Sequence, residues 1–199
     1  MATEKEKEPR SWQQNVLLYV HDLMCMLFVV MLLFLVVFRV ILVTGDSMFS
    51  TLWDGDYLLL VSELFCGDPE PGDIVVISKA SFDNGSPIVK RVIATEGQTV
   101  DIDFASGTVY VDGKALREPY IHNETTNEEG TEFPLTVAEN CIFVLGDNRA
   151  VSLDSRSPQI GQIDRREVLG KALCLMIPGT HHGQLLPDYS RIGAVNKER

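Results

Sequence analysis

Hydrophobic positions follow two regimes along the chain. Residues 23–43, LMCMLFVVMLLFLVVFRVILV, are apolar throughout except for Arg39. A 21-residue helix rising about 1.5 Å per residue spans roughly 30 Å, the thickness of a bilayer core. A buried helix of a soluble domain would carry a polar stripe, and none is present before Arg39. A secretory signal peptide has a shorter apolar stretch and then a small-x-small site, which ILVTG does not offer. The run therefore predicts a retained transmembrane helix, with Arg39 able to snorkel at its far end.

Beyond residue 43 the pattern changes to short β-branched or apolar runs. YLLLV (57–61), DIVVIS (73–78), PIVKRVIA (87–94), TVDIDF (99–104), TVYVD (108–112), CIFVLG (141–146) and KALCLMI (171–177) read as strands. Turn signals separate them: Pro69-Glu70-Pro71-Gly72-Asp73, Asp83-Asn84-Gly85, Ser106-Gly107 and Asp112-Gly113. The pair at 99–104 and 108–112 flanks a tight hairpin turn. Without a long helical period after residue 43 and without an internal repeat, this part is mainly β and largely antiparallel. Residues 117–140 are polar and acidic and read as a long surface loop, and 180–199 as a polar tail.

Charge adds a topology. The 199 residues carry a net charge of −11, and all of it lies after residue 43, where 13 cations face 24 acids. Lys5, Lys7 and Arg10 precede the apolar run, and after Arg39 the next cation is Lys79. The positive-inside rule then places residues 1–22 in the cytoplasm, 23–43 across the membrane and 44–199 outside. So acidic a domain is ill suited to nucleic acid. Cys66, Cys141 and Cys174 permit at most one intramolecular disulfide, and three buried small hydrophobes are an equal reading.

Three segments could carry chemistry. GDSMFSTL (45–52) presents Ser47 directly after the apolar run, a position that equally suits a turn serine. In VKRVIATEG (89–97), strand alternation puts Lys90 and Arg91 on opposite faces, so that Lys90 points inward if Arg91 faces water. An inward lysine loses its proton readily and can serve as a base, whereas a lysine at a sheet edge simply reaches solvent. VLGDNRAVSLDSR (144–156) crowds Asp147, Asn148, Arg149, Ser152, Asp154, Ser155 and Arg156 behind an apolar strand, as suits a loop cross-tied by hydrogen bonds. His21, His122, His181 and His182 form no metal-ligand spacing, so neither a metal nor another cofactor is expected. No phosphate loop or dinucleotide fingerprint occurs. Sequons at Asn84 and Asn123 matter only in a eukaryotic secretory setting.

Taken in order behind a membrane span, these segments resemble the boxes of the bacterial type I signal peptidases, in the short form typical of Gram-positive bacteria. GDSMFSTL is similar to the serine box, GDIVVI (72–77) to the box after it, VKRVIATEG to the lysine box and GDNRAVSLDSR (146–156) to the last box. VYVDGKALREPYI (109–121) resembles the connecting segment. The resemblance implies a fold of coiled antiparallel sheets and a serine endopeptidase that removes signal peptides from secreted preproteins at Ala-x-Ala sites. It implies Ser47 as nucleophile, Lys90 as general base, Ser152 as the hydroxyl that orients Lys90, and Asp154 with Arg156 as a supporting ion pair. Asp147 and Arg149 match the motif as structural residues. Met48, with Phe49 and Leu52, would give the lysine an apolar surround and touch the membrane. Gly45 stands where some members carry an oxyanion-assisting hydroxyl, leaving backbone donors such as the Ser47 N–H. The partners implied are preproteins, the bilayer and the secretion machinery. Three rivals are a catalytically idle relative acting in surface-protein assembly, a self-cleaving serine–lysine repressor and an anchored β domain without activity.

Overall fold

The computed structural model describes residues 11–80, 82, 85–180 and 186–195. The N-terminal cations, the Asp83-Asn84 turn, His181 and His182 lie outside the described residues. Two compact units divide between Val37 and Phe38.

The first unit contains helix α1, Trp12–Val37, which is long and apolar enough to cross a membrane. It starts well before residue 23. Ser11 and Gln14 explain the start: the Gln14 N–H donates to Ser11 Oγ at 3.4 Å and the Ser11 N–H to Gln14 Oε1 at 3.2 Å, a reciprocal cap for the first turn. It also ends six residues short of 43. Phe38–Leu42 leave the helix and form strand β1. Arg39 is therefore a strand residue opposite Leu60. The apolar run reads continuously across this switch because Phe, Val and Ile suit strand and membrane helix alike, and pairing with the next strand decides.

The second unit is built from antiparallel strands. After β1 come β2 (Tyr57–Ser62), the single-turn helix α2 (Glu63–Cys66), β3 (Ile74–Ile77), β4 (Ile88–Thr95), β5 (Thr99–Asp103) and β6 (Thr108–Val111). Then follow β7 (Lys114–Ala115), β8 (Leu135–Thr136), β9 (Cys141–Leu145), β10 (Ile163–Asp164), β11 (Val168–Ile177) and β12 (Gly193–Ala194). The larger sheet runs β1-β2-β11-β3-β4-β9-β10, with β12 on β11, and the smaller runs β7-β6-β5-β8. All seven strands read from the sequence are present, and the hairpin pairs Val100 with Val111 and Ile102 with Val109. Among the described residues, the additional strands are β1 and four of only two residues, too short to leave a pattern.

Alternation explains one face of most strands, but β3 and the centre of β4 are buried on both. One core cluster joins Val43, Met48, Leu52, Leu58 and Leu60 to Ile74 and Val76. Another packs Ile93, Val100, Val109, Phe143 and Leu145 between the sheets. A third gathers Val75, Ile77, Val92, Val144 and Ile163. Strand β4 thus runs between apolar layers with two cations in its middle, and both need an internal solution. The four cysteines are free.

Candidate active site

The turn Gly45–Leu52 leaves β1 and returns toward β2. Gly45 adopts φ +83°, a left-handed conformation that suits glycine, and its N–H is taken by Asp54 Oδ1 at 2.8 Å. Leu52 N–H closes the turn on the Met48 carbonyl at 2.8 Å. Met48 and Leu52 are fully buried in the core beneath Ser47, so they anchor the turn and are withheld from any membrane contact. Phe49 instead packs edge-on against His122, with ring centroids 4.7 Å apart. Among the described residues, the Ser47 N–H donates to no partner.

Lys90 enters from β4, and its Nζ donates to Ser47 Oγ at 2.8 Å. The lysine is 3% exposed. Burial pushes its pKa down to about 8, the carboxylates of Asp154 and Glu129 oppose that shift, and Arg156 reinforces it. Ser47 and Lys90 line a groove of about 550 Å³. Ile41 to Thr44, Met48 and Ser86 to Val89 line it with them.

Arg91 does not face water. It is 5% exposed and points into the opposite layer, where Nε and Nη2 grip both oxygens of Asp147 at 2.8 and 2.7 Å. Nη1 reaches the Gly72 carbonyl at 2.9 Å, and the guanidinium lies 4.0 Å over the Tyr120 ring. Thr51 Oγ1 also donates to Asp147 at 2.5 Å, tying the serine turn to the same carboxylate. Lys90 and Arg91 are thus adjacent cations with opposite solutions: one is desolvated, the other fully paired.

The loop 146–156 supplies the rest. Gly146 N–H donates to Asp154 Oδ2 at 3.0 Å, and Asp154 accepts from Arg156 Nε at 2.9 Å. Arg156 also reaches the carbonyls of Arg149 and Ser152. Arg149 pairs with Glu118 at 2.5 Å and donates to Thr125. Asn148 N–H holds the Ser47 carbonyl at 3.0 Å. Ser152 Oγ is buried without a hydrogen bond among the described residues, so the orienting contact with Lys90 is not made in this conformation. A Cβ on Gly146 would strike both the Ser152 side chain and the Ser47 carbonyl.

The segment 117–140 does more than wander over the surface. Glu118, Thr125 and Glu129 insert carboxylate or hydroxyl groups among the buried arginines, and Tyr120 covers Arg91. The signal for this was a charge mismatch: six acids against the single cation Arg117, while the arginines lay elsewhere in the chain. Among the described residues, no group of three His, Cys, Asp or Glu side chains could hold a metal ion.

A family model described as signal peptidase, peptidase S26, matches residues 16–177. The chain belongs to the signal peptidase S26 family. Signal peptidase I of Bacillus licheniformis is 35% identical over 149 residues, covering 71% of this chain and 77% of that protein. Signal peptidase I P of Bacillus subtilis subsp. natto is 28% identical over 183 residues, 88% of this chain and 95% of that one. A probable signal peptidase I-1 of Synechocystis sp. is 36% identical over 154 residues, 72% and 73% of the two chains. A crystal structure of a signal peptidase I from Enterococcus faecalis V583 aligns at 32% identity and TM-score 0.45, over 53% of this chain and 97% of that one. The resemblance to the short Gram-positive form is thereby borne out, and this S26 family member is a peptidase.

Proposed function

We propose that this S26 peptidase removes signal peptides from secreted preproteins at Ala-x-Ala sites, with Ser47 as nucleophile and Lys90 as general base. The observation that carries this reading is the 2.8 Å contact between Lys90 Nζ and Ser47 Oγ on the wall of the groove, with the amine held near pKa 8. A neutral Lys90 accepts the Ser47 proton as Oγ attacks the scissile carbonyl. The oxyanion develops toward the uncommitted Ser47 N–H. Lys90 then returns the proton to the departing amine, and takes another from the water that hydrolyses the ester.

The groove suits an extended chain. Among the described residues β1 pairs only with β2, and Ile88–Lys90 pair with β3 on one side, while the β9 pairing starts at Arg91. Two backbone edges therefore face the space in front of Ser47, and a substrate strand can hydrogen-bond into it. We assign α1 as the membrane anchor, with the residues before it in the cytoplasm and the β unit outside. Asp154 paired with Arg156, Asp147 held by Arg91 and Arg149 held by Glu118 fix the loop, while Ser152 orients Lys90 once rotated toward it.

The test is cleavage of a preprotein carrying an Ala-x-Ala site, in detergent or liposomes, by wild type, Ser47→Ala and Lys90→Ala. Loss in both variants, by at least about 10³-fold, is expected. Cleavage that survives Lys90→Ala would overturn the assignment of the base. A folded wild type inert on several such preproteins would favour an assembly role without catalysis.

A further inference from the structure

Glu129 lies in the acidic segment and outside the four boxes. Residues 127–131 are laced onto the loop 149–156. Asn127 Nδ2 donates to the Ala150 carbonyl at 3.1 Å, and the Asn127 carbonyl accepts from Arg156 Nη1 at 3.3 Å. Thr131 N–H donates to the Arg156 carbonyl at 2.9 Å, and its hydroxyl to the Ser155 carbonyl at 3.2 Å. This lacing turns Glu129 inward. Its Oε1 meets Arg156 Nη2 at 3.2 Å, and its Oε2 is buried without a hydrogen bond among the described residues.

Arg156 is consequently shared by two carboxylates, since Asp154 already takes Nε and Nη2. After burial, the leading charges acting on Lys90 among the described residues are Asp154, Glu129, Arg156 and Asp147. Asp147 is neutralised by Arg91. What remains is two negative charges, one arginine and the amine. The cluster balances when Lys90 carries its proton and is left with one net negative charge when it does not. Burial also pushes the Glu129 carboxyl up, with Asp154 adding to the rise and Arg156 and Lys90 opposing it.

We propose that Glu129 is a positioning residue that sets the pH at which the Lys90 amine becomes free, through the second carboxylate it places on Arg156. This rests on Lys90 being the base. A fixed negative charge favours the ammonium form, so Glu129 delays deprotonation. It keeps the nucleophilic serine unactivated at the acid end and opposes the desolvation that acts alone on a lone buried lysine.

The experiment uses the full chain in detergent. Cleavage of the Ala-x-Ala preprotein is measured against pH for wild type, Glu129→Gln and Glu129→Asp. In parallel, the Lys90 side chain is titrated by NMR with 13Cε-lysine in a Ser47→Ala background, assigned with Lys90→Gln. Glu129→Gln should move both the Lys90 midpoint and the acid limb of kcat/KM down by roughly 0.5 pH unit or more, with Glu129→Asp closer to wild type. A Lys90 midpoint that stays or rises in folded Glu129→Gln overturns the inference, including the case where cleavage falls equally at every pH. If the midpoint falls while Lys90→Gln still cleaves, the inference holds for the amine and the assignment of the base fails.

Discussion

Arg191 closes on Asp56 across 135 positions of chain, with Nη1 at 3.0 Å from Oδ1 and Nη2 at 2.7 Å from Oδ2. The same guanidinium reaches the Thr51 carbonyl at 3.2 Å and lies 3.7 Å over the Trp53 ring. Asp56 in turn accepts from the Trp53 and Gly179 N–H groups. The C-terminal segment therefore fastens the far end of the turn that carries Ser47. Both charges are buried, so removing one leaves the other uncompensated. Arg191→Ala is expected to lower stability by about 3 kcal/mol and to reduce kcat more than it changes KM. Thermal unfolding, Trp53 fluorescence and steady-state cleavage check this.

Lys90 should make activity rise with pH. In the proposed mechanism the neutral amine is the working form, and burial holds its pKa near 8. Cleavage should fall about tenfold per unit well below that pH and level above it. A rate flat from pH 6 to 9, with chemistry limiting, would contradict the role assigned to Lys90.

The same lysine is a cost to folding. Its pKa is about 8 in the folded chain against an ordinary 10.5, so the unfolded chain binds more protons between those values. The cost is complete below pH 8 and vanishes as pH rises through 10.5, at most about 3 kcal/mol. Lys90→Met should be inert yet more stable than wild type at pH 7, with the gap closing above pH 10. Denaturant unfolding at the two pH values measures it.

Gly146→Ala tests the closeness of the two halves of the site. The added Cβ meets the Ser152 side chain and the Ser47 carbonyl, and Asn148 clamps that carbonyl. Ser47 must shift to accommodate it. A fall in kcat of about 10²-fold, from a displacement near 1 Å, is expected in a protein that still folds.

Asp147→Asn should be more damaging to the fold than to any reacting atom. It strips Arg91 of its bidentate partner inside the sheet and weakens the tie to Thr51. The expected loss is about 3–5 kcal/mol, read as a lower Tm. Substituting Arg91→Met in the same chain should recover part of it by removing the stranded charge.

The strand framework was legible because alternation and turn residues are local properties. The helix-to-strand switch at Phe38 was not, since the next strand is what makes 38–42 extended. Ser47 and Lys90 were legible as box residues, and the structure brings them into contact. The burial of Arg91 was not legible, because alternation supposes one wet face, and β4 has none at that level. The roles of Glu118 and Glu129 were hidden for a related reason. An acid in a polar segment looks solvated until the distant arginine it answers is placed beside it.

Among the described residues, strand β1 has one partnered side and one open side, and its last residues are Val40, Ile41 and Leu42. An edge able to receive a passing peptide is also an edge on which a second molecule can stack. The feature that would admit substrate thus sets a solubility limit, and natural sequences usually blunt such a strand with charge or proline. Here Arg39 is the only charged residue in it. Concentrated preparations are therefore best handled with a peptide occupying the groove, because a filled edge has no hydrogen bonds left to offer a neighbour.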